Sequence, residues 1–152
     1  MTFRAFTKGF FRSLGFDLRP LKSVPFGVDW RWDLRGVSKG REPECIIDVG
    51  ANQGQTALKL AEEFPNCRIY SFEPVRSTFD MLRINIRSHT NIIAINTAVG
   101  ETVGAIEITD EPGSHANTTV WHPDTKRTHT ASVQLTTFDE FCDKQAILFV
   151  DL

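Results

Sequence analysis

The run Ile46-Ile47-Asp48-Val49-Gly50-Ala51-Asn52-Gln53-Gly54 constrains this chain more than any other stretch. Residues 45–49 are apolar apart from one acid and rich in β-branched side chains, which suits a strand buried on both faces of a parallel sheet. Gly50 and Gly54 lack a Cβ, so the backbone can turn sharply there and be approached closely. A helix is expected over residues 56–64, with Ala57, Leu60, Ala61 and Phe64 on one stripe, stopped by Pro65-Asn66. A second apolar run, residues 68–72, leads into Glu73, 25 residues after Asp48. Strand, glycine turn, helix, strand and a second acid form the pattern with which a Rossmann-like sheet holds a nucleoside.

What the loop lacks narrows the ligand. A phosphate-cradling loop needs Lys followed by Ser or Thr after its last glycine, and Gln55-Thr56 stands there instead. A dinucleotide loop wants G-x-G-x-x-G, whereas here Asp48 heads a loop with glycines at 50 and 54, and its charge would repel a pyrophosphate. A cationic or zwitterionic ligand fits better. Asp48 near a sulfonium-bearing amino acid, with Glu73 accepting from two ribose hydroxyls, is the arrangement expected for S-adenosylmethionine.

The order then continues regularly. A helix is expected over residues 77–87, N-capped by Ser77, with Val75, Phe79, Leu82 and Ile86 as its buried stripe, followed by a third strand over residues 92–96. Two alternating runs, residues 105–109 and 132–136, read as antiparallel strands added beyond the α/β core. Between them lies a polar loop, residues 110–131, without period.

These residues together resemble the FkbM family of S-adenosylmethionine-dependent methyltransferases. The resemblance rests on Gly27-Val28-Asp29-Trp30 with Asp33-Leu34, on IIDVGANQGQT at 46–56 and YSFEP at 70–74, on Asn96-Thr97-Ala98-Val99-Gly100, on Ser114 with Asn117-Thr118, and on residues 133–141. It implies an α/β, Rossmann-like fold, doubly wound with a mainly parallel sheet. It also implies a site for S-adenosylmethionine at Asp48, Gly50, Ala51, Asn52, Gly54, Glu73 and Pro74, with Asn96 and Ala98 flanking the adenine or merely finishing the third strand. The activity implied is O-methyl transfer to a small-molecule or glycan hydroxyl, such as that of a sugar or secondary metabolite.

In such a family a strand of the type I-D-x-L-K-I-D-x-E-G follows the T-L-D-x-F segment, and Phe149-Val150-Asp151-Leu152 matches only its start. The expected domain, residues 45–152, is therefore the N-terminal half of a methyltransferase fold, incomplete at its C-terminus, either a fragment or a product that lost its second half. An unpaired sheet edge at Ile92, Ile93 and Ile95, or over residues 147–150, would then invite self-association.

Residues 1–44 form an N-terminal extension of opposite charge, with nine Lys and Arg against five acids, while residues 45–152 carry eight against fourteen. Phe3, Phe6 and Phe10 recur at helical spacing in it. Packing on the domain, binding a membrane surface or partner, and targeting to an organelle are its open readings. No segment is apolar enough to span a bilayer, and nothing in the sequence points to nucleic acid. The three cysteines, Cys45, Cys67 and Cys142, have no C-x-x-C spacing, so no zinc site is expected and a reducing cytoplasm fits. His115, His122 and His129 share the long loop with Asp110, Glu111 and Asp124 but match no ligand motif; His89 is expected at a helix end facing solvent, and Trp121 with Val120 would pin the loop. No residue can be assigned as the base. A non-catalytic module that binds S-adenosylmethionine or a partner, and an NAD-dependent oxidoreductase, remain the alternative readings.

Overall fold

A computed structural model describes residues 7, 10–15, 25, 27–28, 30–37, 41–109 and 130–152. The chain divides into two compact units, Met1–Arg41 and Glu42–Leu152. In the first, helix α1 (Trp30–Val37) is preceded by a turn at Gly27, whose N–H donates to the Asp33 carboxylate at 2.7 Å. That bond accounts physically for the pairing of Gly27 with Asp33. Phe3, Phe6 and Asp29 lie outside the described residues, as do Ser114, Asn117, Thr118, Val120, Trp121 and the histidines of the long loop.

The second unit is built on a parallel sheet of β1 (Cys45–Val49), β2 (Arg68–Phe72) and β3 (Ile92–Ile95), in that spatial order. Helices α2 (Gln55–Glu63) and α3 (Arg76–Asn85) make the two connections. Their stripes are buried as the periodicity predicts: Ala57, Leu60, Ala61 and Phe64 in and after α2, and Val75, Phe79, Leu82 and Ile86 around α3, are all at most 8% exposed. The pairings Ile46↔Ile69 and Asp48↔Ser71 fall on one face of the sheet, and Ile47↔Tyr70 and Val49↔Phe72 on the other. Cys45 and Cys67 are buried thiols held up by desolvation, Cys67 at about 12, so both behave as small apolar residues.

One expectation is corrected here. Ser77 does not cap α3; the helix begins one residue earlier, with Val75 as N-cap and no side-chain cap bond from it. The reason is local. Glu73 reaches over Pro74 and accepts the Val75 N–H at 2.9 Å, which fixes the cap residue, and the Val75 carbonyl accepts the Phe79 N–H at 2.8 Å, so the first helical turn already encloses Ser77.

The alternating runs pair antiparallel, as β5 (Gly104–Thr109) and β6 (Thr130–Thr136), over the register Gly104↔Leu135 to Thr109↔Thr130. A short strand that the sequence pattern did not reveal, β4 (Ala98–Val99), runs parallel to β6 and completes a second sheet of order β4-β6-β5. Ile108 and Val133 form its core with Val75, with Ala98, Ile106 and Ala131 packed around them.

A further helix, α4 (Phe138–Gln145), was also not expected. Its start is a Thr-x-x-Glu sequence: the Thr137 hydroxyl accepts the Glu140 N–H at 3.1 Å, and Asp139 and Glu140 complement the helix dipole. Its only buried residue, Phe141, meets Tyr70 and Phe72 edge-on at centroid distances of 5.1 and 4.8 Å. Thr137→Ala should therefore cost about 1 kcal/mol in urea denaturation, the usual worth of an N-cap hydroxyl.

After α4 the chain turns at Ala146, in the left-handed region at φ 52, and runs to the side of β1 away from β2. There the Asp151 N–H donates to the Cys45 carbonyl (2.9 Å), the Ile47 N–H donates to the Leu152 carbonyl (2.7 Å), and the Asp151 carboxylate accepts from the Glu44 and Cys45 N–H groups. These bonds place residues 151–152 where a fourth strand would lie. Among the described residues, no helix is long and apolar enough to cross a membrane.

Candidate functional site

Three strand ends converge at the C-terminal edge of the parallel sheet, the edge at which open α/β sheets take ligands. Asp48 stands one residue before the end of β1, Glu73 follows β2, and Asn96 follows β3. The turn between β1 and α2 is fixed by its backbone. Gly50 and Ala51 N–H both donate to the Phe72 carbonyl, at 3.0 and 2.9 Å, and the Gly54 N–H closes the turn on the Ala51 carbonyl at 2.8 Å. Gly50, Asn52 and Gly54 all have positive φ, which glycine adopts freely and asparagine more readily than most.

Glu73 is the hub. It is 6% exposed, and its two carboxylate oxygens accept the Asn52 and Val75 N–H groups, each at 2.9 Å. One side chain thus ties the glycine turn to the start of α3. A carboxylate has about four acceptor positions, so each oxygen keeps capacity for one more donor. Behind it, the Asn96 amide donates to the carbonyls of Glu73 and Pro74 at 2.8 and 2.9 Å, and Asn85 at the end of α3 donates to the Gln53 carbonyl at 2.8 Å.

Asp48 is half-buried at the end of an apolar strand. Among the described residues its Oδ2 finds no hydrogen-bond partner, and neither does the hydroxyl of Ser71, which sits opposite it on β2. Two buried polar oxygens facing the same way, without partners, mark a place where a donor from outside would be welcome. Ser71 was not singled out from sequence, although a serine in the middle of the apolar run Arg68–Phe72 was the available sign.

Desolvation raises the carboxyls of both Asp48 and Glu73 above the ordinary range. The Ser71 hydroxyl, close to Asp48 but not in hydrogen-bond geometry with its Oδ2, pulls that carboxyl partly back, and the Val75 and Asn52 N–H groups, which do bond to Glu73, act on it in the same direction. The folded chain therefore holds these protons more tightly than the unfolded chain does. The stability this contributes is full below the unfolded carboxyl values and is lost as pH rises through the raised ones. Thermal melts should show stability declining with pH over that window, and Asp48→Asn should flatten the decline.

Asp48, Gly50, Ala51, Asn52, Glu73, Pro74 and Asn96 are thus brought together at one sheet edge. Gly54 serves the helices: a Cβ there would stand 2.9 Å from Leu82 Cδ1 and 3.2 Å from Ile86 Cγ2. Ala98 lies in β4 and packs with the Val75 cluster. His89 is half-buried just beyond α3, with its ring nitrogen 3.2 Å from the Ser88 hydroxyl. Among the described residues no group of His, Cys, Asp and Glu could hold a metal ion.

A parallel α/β sheet with a glycine turn after its first strand and an acid after its second defines a Rossmann-like class of fold. Comparison with known proteins takes the assignment further. The methyltransferase FkbM domain family matches residues 48–152, and the chain belongs to that family. A curated relative, methyltransferase sdnD of Sordaria araneosa, is 27% identical over 78 residues, which cover 49% of this chain and 30% of that protein. The match thus spans less than a third of the relative's length. Among solved structures, a coclaurine N-methyltransferase bound to N-methylheliamine and SAH aligns with a TM-score of 0.38 and 17% identity, covering 45% of this chain and 21% of that one. The precorrin-6y C5,15-methyltransferase of Geobacter metallireducens aligns at 0.37 and 17%, covering 50% and 41%.

Proposed function

We propose that this chain binds S-adenosylmethionine at the C-terminal edge of β1–β3 and serves in O-methyl transfer to a hydroxyl of a small molecule or glycan. The observation that carries the reading is the pair of desolvated carboxyls at that edge, one of which, Asp48, has an oxygen without a partner among the described residues and faces another such oxygen on Ser71. An acid in that state is completed by a cation or an ammonium donor, which the methionine end of the cofactor carries. Glu73 keeps acceptor capacity for ribose hydroxyls while its other lone pairs hold the turn, and Gly50, with open space where a Cβ would stand, lets a ligand approach the backbone. Asn96 fixes the Glu73-Pro74 peptide against which the base would rest.

When bound, the cofactor supplies a methyl group on a positively charged sulfur, already activated for transfer. The residues of this chain would contribute binding, orientation and exclusion of water. No described residue is assigned as the base that takes the acceptor's proton. Dinucleotide binding is disfavoured by Asp48, whose charge would face a pyrophosphate.

The test is photocross-linking of methyl-labelled S-adenosylmethionine, with the labelled peptides mapped by mass spectrometry. Labelling within residues 48–54, at residues 73–74 or at Asn96, blocked by S-adenosylhomocysteine and not by NAD, is the expected result. Labelling elsewhere, or equal blocking by NAD, would overturn the assignment.

A further inference from the structure

The other face of the parallel sheet carries a groove that the cofactor reading does not use. Tyr70 and Phe72 of β2 alternate away from Ser71, and Ile93 and Ile95 lie beside them in register on β3. Helix α4 covers the β2 side of that face through Phe141 but leaves β3 open, so Ile93 is 38% exposed. Between this floor, α4 and Leu135 of β6 lies a space of about 420 Å³, within the size range of small-molecule sites.

Its chemistry is selective. Its apolar lining is aromatic and aliphatic, and of the polar residues that also line it, Thr97, Gln134, Thr136 and Gln145 are uncharged. The two charges in the lining cancel one another, since Lys144 Nζ donates to Glu140 Oε1 at 2.7 Å while Glu140 Oε2 accepts from the Thr136 hydroxyl at 2.8 Å. Because these two charges already offset each other and Lys144 is largely exposed to water, the groove offers a charged ligand no uncompensated partner to repay its desolvation, whereas an apolar body with a hydroxyl or carbonyl can use the aromatic and aliphatic walls and the amides. We propose that this groove is a second binding site, for an uncharged, largely apolar small molecule carrying a hydroxyl or carbonyl, separate from the nucleoside site across the sheet.

The test uses three probes of one ring size: 2-naphthol, which is neutral, and 2-naphthoate and 2-naphthylmethylammonium, which are charged. Binding to the full chain is read from methyl resonances of Ile93, Ile95, Val103 and Leu135 and from calorimetry. The neutral probe should shift these resonances and bind at least tenfold more tightly than either charged one. Val103→Trp, a large side chain at an exposed position beside the groove, and Ile93→Lys, a charge on its floor, should each weaken 2-naphthol at least tenfold. Met81→Lys, at an exposed site on α3, should not. S-adenosylhomocysteine affinity, measured on the same variants, should be unchanged, so failure here is distinguishable from failure of the cofactor reading. Circular dichroism identifies any variant that does not fold, and either groove variant alone suffices. Tighter binding of a charged probe would overturn the proposal. So would 2-naphthol binding that survives the folded groove variants, displacement of 2-naphthol by S-adenosylhomocysteine, or a dimer that buries Ile93 and excludes the probe.

Discussion

Glu73→Ala should destabilise the domain by about 2–4 kcal/mol before any ligand is added. The substitution strands two backbone N–H groups, those of Asn52 and Val75, in a region where Glu73 itself is nearly enclosed. Each such group left without an acceptor costs roughly 1–3 kcal/mol, and the relief of a desolvated carboxylate offsets part of the sum. Urea denaturation measures the loss. A change under 0.5 kcal/mol would show that the turn does not depend on Glu73. The prediction has a consequence for ligand binding: a fall in affinity on removing Glu73 mixes lost ribose contacts with a loosened loop, so Glu73 alone cannot establish the cofactor.

Gly54→Ala should cost about as much, by a different route. The residue has φ +95, where a side chain is strained by roughly 1–3 kcal/mol, and the new Cβ would stand 2.9 Å from Leu82 Cδ1. Leu82 is fully buried and Ile86 nearly so, which leaves little room to retreat, and overpacking of this kind adds roughly 1–3 kcal/mol. The expected total is about 2–6 kcal/mol. Gly50→Ala is the control, because φ is +74 there but nothing lies within 4 Å of the added methyl, so only the strain of about 1–2 kcal/mol remains. Equal effects at the two glycines would contradict the packing argument.

The parallel core was legible because its signals are local and strong. β1 and β2 span the residues that the apolar runs marked, and the stripes of α2 and α3 are buried residue by residue. What escaped had weak or non-local causes. α4 has only Phe138, Phe141 and Cys142 as apolar residues, too few for a stripe, and its one clear sign was Thr137 three residues before Glu140. β4 is two residues long and exists through its pairing with β6, which no window of sequence reveals. Ser77 does not cap because the Val75 carbonyl already accepts the Phe79 N–H, with Val75 itself held by Glu73, so the first turn begins before the serine.

The site was legible as a set of residue types but not as a set of roles. The acid after β2 was read as a ligand group, and the structure adds that it organises the turn; Asn96 clamps the Glu73-Pro74 peptide, a task visible only once the strand ends are side by side. Asp48 is the residue whose surroundings are explained least by the fold itself, since no described group completes its Oδ2. It is therefore the sharper probe of function.

Calorimetric titration of the parent chain and of Asp48→Asn with S-adenosylhomocysteine, alongside NAD, tests the central claim most directly. The substitution removes a desolvated charge, so the folded variant should be at least as stable as the parent at neutral pH. It should bind S-adenosylhomocysteine at least tenfold more weakly, the loss of one charge-assisted contact of about 1.5–3 kcal/mol, while NAD binds neither chain. A stable Asp48→Asn chain with undiminished affinity, or a parent that prefers NAD, would contradict the account.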